Sequence, residues 1–402
     1  MQILLKRPPR IFPPGNYNDC KKCTMRVIPV IFSSSVDGEL IRYAASCLSQ
    51  DRAVEVFVTV SETEYRRKSK GSFLLRLNLR LKMYCLHSVR VAMRMLSAPY
   101  GSYIVVTTNP FFTPALCALL AKLKSQKVIH LLYDLFPDAL EEVGLIQRDG
   151  WISKLLGVFP RVALKCSYAT VFLGNTLKEH AEARWGKAAH SEIIPVVISR
   201  SIAPIPEDEA NRLEIHYGGQ LGWMHDAELL ASLVKDFSKS SELSDRVHWS
   251  FLISGAKASA FRFALKEIDV EIGDTLDVQD WKARAVRIPV GLVSLSAGGA
   301  NVCLPSKAYG MMACGMAILA LCPEQSDLGR LISENELGWV VDTTVTSGLD
   351  AKVIQRRFHD AVSDIIENPS ELLRRRRNAW KYIGQENSRD NKERRWQAII
   401  SP

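Results

Sequence analysis

Short apolar runs and amphipathic stretches alternate along most of the chain. Val/Ile/Leu-rich runs at Met25–Phe32, Val54–Val60, Tyr103–Thr108, Val128–Tyr133 and Ala169–Leu173 flank segments with helical spacing, among them Glu39–Ser49 and Pro114–Lys124. A brief continuous apolar run bounded by polar turns is the pattern of a strand buried on both faces, so the alternation predicts βαβ units in a parallel sheet. The rhythm breaks at Ile198–Asn211, a polar stretch containing prolines, and resumes with strands expected at Leu213–Gly219, Val247–Gly255, Val290–Leu295 and Ala317–Leu321. A break followed by a second run of the same kind marks a domain boundary. The expected division is a tail over 1–24, a first domain over 25–198, a second over 199–380, and a C-terminal helix over 381–402 that packs back towards the first domain.

Two segments read less simply. Phe73, Leu75, Leu77, Leu79 and Leu81 alternate as in a strand, yet the length and the Arg, Lys, Leu and Met content of Ser72–Leu96 favour a helix. Trp151–Tyr168 places Trp151, Leu155, Val158, Phe159, Val162 and Cys166 on one face and Lys154, Arg161 and Lys165 on the other, which predicts an amphipathic helix kinked at Pro160. Core packing is its default explanation; a membrane interface is the alternative.

At 402 residues, 47% hydrophobic and 24% charged, the chain suits two ordinary domains. No uncharged apolar run reaches the roughly 18–20 residues of a membrane span, and prolines 8, 9, 13 and 14 break the N-terminus where a secretory signal would need an apolar core. Met25 opens the first expected strand and is an alternative start. Nine cysteines, scattered and odd in number, point to a reducing compartment, and Cys20–Cys23 is a lone CxxC without further ligands nearby, so no metal is expected. The net charge of +9 is uneven: from Tyr65 to Tyr133 every charged residue is Lys or Arg. Such a one-signed field suits an anionic partner, namely phospholipid, nucleic acid or a phosphorylated substrate, or else is a solvated face. Nucleic acid is the weakest of these, because exposed aromatics do not interleave the basic run.

The most informative stretch is LPSKAYGMMACGMAILAL, from Leu304 to Leu321. Pro305 can open a helix whose first turn holds Ser306 and Lys307; a Lys facing the positive end of a helix dipole implies that an anion is expected there. Gly315 is placed to end that helix in a left-handed cap before a buried strand. Gly218, Gly219 and Gly222 make a glycine-rich turn after another strand, ahead of a helix that Asp226 can cap, and Lys257 follows a similar strand and turn. Asp134 and Asp138 lie beyond the carboxyl end of the Val128–Tyr133 strand, where open α/β sheets bind ligands.

Taken together, VIHLLYDLFPDAL from Val128, ATVFLGNTLKEHAE, YGGQLGWMHD from Tyr217, LPSKAYGMMACG and SDLGRLISENELGWVVD from Ser326 resemble the glycosyltransferase family 4 (group 1) enzymes, in the branch that builds bacterial surface polysaccharides. The resemblance implies a GT-B fold, two Rossmann-like parallel-sheet domains facing a cleft. It also implies retaining transfer of a sugar from a nucleotide-diphosphate donor held by the second domain, without metal or other cofactor, to a polysaccharide or lipid-linked acceptor held by the first. Lys307 matches the basic residue facing the donor pyrophosphate, and Gly219 and Gly222 the turn over it; Lys257, Ser306 and Tyr309 are expected to help bind the donor, and His130 and Asp134 to line the acceptor and sugar cleft. A cytoplasmic enzyme, peripheral on an anionic inner membrane face through the basic run and the Trp151 helix, is the setting this implies. The chain departs from the family pattern where Gly310 replaces a Glu that meets the nucleotide ribose and where Trp223 stands in place of an Arg. Those departures motivate a second reading, a transferase-like subunit that has lost catalysis and acts as a binding or scaffolding partner.

Overall fold

A computed structural model describes residues 29–36, 38–49, 52–69, 71–196, 212–344, 350–385 and 388–400. The segment 25–28, the CxxC and the interdomain stretch at 198–211 lie outside them.

The apolar runs pair into separate six-stranded sheets. The first contains β1 (Val30–Val36), β2 (Val54–Val60), β3 (Tyr103–Thr107), β4 (Lys127–Leu132), β5 (Ala169–Phe172) and β6 (Ser191–Ile193), in the order β2-β1-β3-β4-β5-β6. The second contains β7 (Leu213–Gln220), β8 (Val247–Ser254), β9 (Glu271–Gly273), β10 (Val290–Ser294), β11 (Ala317–Cys322) and β12 (Gly338–Asp342), in the order β12-β11-β10-β7-β8-β9. Every pairing in both sheets is parallel. A parallel sheet needs helices on both faces, and that is why β3, β10 and β11 are buried along their whole length.

The Ser72–Leu96 segment is helical, as Phe73–Leu81 and His87–Ser97 joined by a π-helical turn over Lys82–Leu86. The Trp151 segment differs from expectation. It breaks into helices Trp151–Leu156 and Val158–Cys166 at Gly157, and Pro160 lies in the first turn of the second, where its missing N–H costs nothing. The glycine is there for packing: a Cβ at 157 would stand 2.1 Å from the Trp185 ring. All cysteines among the described residues are free thiols.

The first domain meets the second through a shared apolar cluster, which includes Leu135, Leu177, Val302 and Leu328, and through several backbone contacts. Asp134 bridges to Cys303, and the Leu135 N–H donates to the Val302 carbonyl at 3.0 Å. The Asp327 carboxylate accepts from the N–H groups of Thr176 (3.0 Å) and Leu177 (3.3 Å), at the N-terminus of the Asn175–Trp185 helix. A carboxylate there satisfies orphan donors and complements the helix dipole. Gly174 permits the approach, since a Cβ on it would lie 2.2 Å from Asp327.

The chain then returns. The Pro369–Gln385 helix runs over the second domain, where buried Arg376 donates through Nε to the Gly315 carbonyl at 3.0 Å. The last helix, Arg389–Ile400, packs Trp396, Ile399 and Ile400 into the first domain's core beside Ile41 and Leu48, with Trp396 edge-on to Phe32. Truncating a buried aromatic of this size costs about 3–5 kcal/mol. Trp396→Ala should therefore move the urea midpoint of the first domain well below that of wild type, read by circular dichroism.

Candidate functional site

In the second sheet, β7 and β10 are neighbours whose connections leave in opposite directions, so a crevice opens at their carboxyl ends. It widens into a cavity of about 970 Å³. Its floor is the β7 turn. Gly219 has φ +105°, which disfavours side chains, and a Cβ at Gly219 or Gly222 would meet only open space. The Ser306–Ala313 helix supplies one wall, presenting Ser306, Lys307, Gly310 and Ala313, and Gly315 (φ +85°) ends the unit. Thr275–Asp277 and the Val278–Ala285 helix, with Trp281 and Lys282, supply the other. Among the described residues, Asp134 is the first-domain side chain that lines the cavity.

Lys307 is anchored before any ligand arrives. Its Nζ donates to the Tyr217 hydroxyl at 2.7 Å and the Gln220 carbonyl at 2.8 Å, and lies 4.2 Å from the centre of the Tyr217 ring. His225 completes the set: its Nδ1 is bonded to the Ser294 carbonyl, which must receive a proton, so Nε2 is the acceptor that faces Lys307 at 3.3 Å. Burial, then the Lys307 charge, pushes the His225 ring down to about 3, so it is neutral. One histidine thus ties the β7 turn to the end of β10 and directs a lone pair at the lysine. Among the described residues no carboxylate pairs with the ammonium. Burial pulls Lys307 down to about 7, although its side chain keeps part of its surface open to the cavity. An anion is what would restore its charge.

Asp134 is open to the cavity at its tip, but walls of both domains surround it, and burial pushes its carboxyl up to about 6. It titrates just below neutrality.

Of the residues singled out from sequence, Gly219, Gly222, Ser306, Lys307 and Asp134 meet at this cavity. The others do not. His130 sits inside β4 opposite Val106 and Thr170, buried with both ring nitrogens unpartnered and its basicity pushed down to about 3. It lies before the strand's end, so its ring belongs to the packed interior and not to the cleft. Tyr309 is buried in the core, because it stands roughly 200° around the helix from Lys307. Lys257 acts behind the wall, donating to the His225 carbonyl at 2.7 Å. Sequence reasoning passed over His225, Tyr217 and Trp281. His225 carries a signal, a polar ring a few residues after a glycine turn; Trp281 carries none, since its helix reads as ordinary and amphipathic. Gly310 and Trp223 both line the cavity, so each departure from the family pattern falls on its wall.

A separate group, Glu214, His248 and Glu271, has ligand atoms close enough for a metal. Arg284 already occupies both carboxylates, donating to Glu214 at 2.9 Å and Glu271 at 2.7 Å.

Two all-parallel Rossmann-like sheets, joined so that a cavity opens at the carboxyl ends of the second against a loop of the first, make this chain a GT-B fold. The comparisons agree. The lipopolysaccharide glycosyltransferase WaaG superposes with a TM-score of 0.62 at 11% identity, over 93% of this chain and 100% of that one. HepE of Anabaena, solved in complex with UDP and glucose, gives 0.62 at 13% identity, over 93% and 99%. By sequence, a protein named probable glycosyltransferase WbjE, of Pseudomonas aeruginosa, is 24% identical over 294 residues, 69% of this chain and 70% of that one. No family model matches the chain.

The lowered basicity of Lys307 has a thermodynamic sign. The unfolded lysine holds its proton up to the ordinary range, whereas the folded one releases it from about 7. Between those limits the unfolded state binds more protons, so wild-type stability rises with pH. The melting temperature of Lys307→Met minus that of wild type should therefore fall from pH 7 to pH 10. A flat difference in scanning fluorimetry would assign Lys307 an ordinary basicity.

Proposed function

We propose that this chain is a glycosyltransferase, moving a sugar from a nucleoside-diphosphate donor on the second domain to a saccharide or lipid-linked acceptor approaching from the first. The observation that carries this reading is Lys307, anchored without a carboxylate at the head of a helix beside a glycine turn that leaves its backbone open. Helix N-terminus, bare turn and lysine converge as they would on a diphosphate. The names of WbjE and WaaG, and the UDP in the HepE structure, point to the same chemistry. UDP-sugars accordingly head the donor candidates.

The reaction is proposed to retain configuration. The acceptor hydroxyl attacks the anomeric carbon on the face the diphosphate leaves; the sugar C–O bond to phosphate breaks as the new glycosidic bond forms. The acceptor's proton passes to the departing phosphate oxygen. Lys307 and the helix terminus offset the charge that grows on that phosphate. Asp134, across the cavity, positions the sugar by accepting from its hydroxyls. No side-chain nucleophile takes part, and neither His130 nor Tyr309 touches substrate.

Gly310 and Trp223 give the scaffold reading its observation, since the cavity wall lacks the expected acid and arginine. Thermal shift separates the two: a bound nucleoside diphosphate at a hundred times its dissociation constant adds about 2.7 kcal/mol, whereas a scaffold that has lost its donor site responds to none. Lys307→Ala should keep the fold and lose about a hundredfold or more in turnover, the usual cost of removing one preorganised charge-stabilising group. Wild-type turnover in that variant would place the donor elsewhere. Mass spectrometry of enzyme quenched during turnover should find no glycosylated Asp134; a covalent adduct there would replace the same-face mechanism with double displacement.

A further inference from the structure

Trp281 stands in the cavity wall with its one polar atom already engaged. The indole Nε1–H donates to His216 Nε2 at 3.3 Å, so that nitrogen is an acceptor and the imidazole proton sits on Nδ1, 3.1 Å from the Ser250 hydroxyl. His216 and Ser250 face each other across β7 and β8. Ser250 also accepts from Arg284 Nη2 at 3.0 Å, and Arg284 is itself fixed by Glu214 and Glu271. His216 is fully buried, and burial pulls its basicity down to about 4, which keeps the ring neutral and the Nε2 lone pair available.

The backbone makes room for this contact. A Cβ on Gly218 would stand 2.7 Å from His216 Nε2 and 2.8 Å from Trp281 Nε1, so the bare α-carbon in β7 lets the indole lie against the strand. Trp281 also packs on the apolar cluster that contains Met311 and Cys314, and stays half-buried where it lines the cavity. A buried indole N–H usually finds a partner; here the partner also sets the plane of the ring relative to β7. With that N–H spent inside the protein, the ring has only its π surface to offer a ligand.

With the donor site as proposed above, on which this inference rests, the diphosphate takes the helix head at Ser306 and Lys307. The transferred sugar then lies toward Asp134, because the acceptor comes from the first domain. The nucleoside is left with the other direction, along the cavity-facing side of the helix through Gly310 to Cys314, roughly 12 Å at 1.5 Å per residue. The Val278–Ala285 helix walls that stretch: Lys282 is near enough for its charge to act on the Cys314 thiol, and Trp281 is its neighbour. We infer that Trp281 is the platform on which the donor's nucleobase stacks, and that His216 is the positioning residue that holds its plane. Every base has a π face, so such a platform favours a nucleotide over its bare phosphates whichever base it carries.

Isothermal titration of the full chain with UDP, and with inorganic pyrophosphate, which shares the phosphate contacts and lacks the base, tests this. Trp281→Ala should weaken UDP by about tenfold or more, the usual loss for one base–aromatic stack, and leave pyrophosphate unchanged. Trp281→Phe, which keeps a ring and gives up the anchored N–H, should fall between wild type and Trp281→Ala. His216→Leu removes the acceptor and should repeat the Trp281→Phe pattern; a merely structural histidine would move both ligands together or neither. UDP and pyrophosphate weakened alike in Trp281→Ala, or neither weakened, overturns the inference and leaves the donor site standing. So does a Trp281→Ala variant that loses affinity for UDP-glucose but not for UDP, since the ring would then serve the transferred sugar. A wild-type chain that binds neither UDP nor pyrophosphate removes the donor site itself, and the platform with it.

Discussion

A parallel sheet sends the carboxyl ends of all its strands to one edge, and this chain locks two such edges together. The lock joins main-chain contacts, Leu135 on Val302 and the Asp134–Cys303 bridge, to the Asp327 carboxylate on two helix N–H groups and to an apolar cluster in which Leu135 and Leu177 share a core with Val302 and Leu328. Because Asp134 is part of that seam, its carboxyl is delivered to the cavity with its backbone already fixed.

Within the second domain, His225 plays the corresponding part over a shorter range. The ring bridges the strands that part at the crevice, and its single proton is spent on the Ser294 carbonyl. Lys257 holds its backbone from behind. The lysine at the helix head is thereby held by a hydroxyl, a carbonyl and a neutral imidazole, all of them dipoles. A carboxylate in any of those places would keep the ammonium charged and satisfied; dipoles leave it short of a counter-charge.

Much of the fold was legible because buried parallel strands are contiguous apolar runs: β2 and β3 lie where Val54–Val60 and Tyr103–Thr108 suggested. The three-residue strands β6 and β9 were not, since they are edge pieces defined by their neighbours' hydrogen bonds and not by their own composition. The break at Gly157 hid behind Pro160, because the need for a bare α-carbon comes from Trp185, far along the chain. In the site, Lys307 and the glycines could be read locally, where one turn dictates one residue type. His130 could not be placed, as nothing in a strand's sequence tells how far from its end a ring stops facing the cleft. Trp281 reached the cavity through tertiary packing alone.

The clasp at Asp327 has a consequence for how such a protein can change over time. It grips amide hydrogens that any residue except proline would offer, and on the other side it asks only that position 174 lack a side chain. Recognition of that kind is nearly blind to sequence. A second domain carrying the aspartate could be exchanged onto a different first domain whose helix begins after a glycine, and this corner of the joint would close as before. At this corner modularity is a property of peptide geometry, and what ties one particular first domain to one particular second is left to the apolar cluster they share.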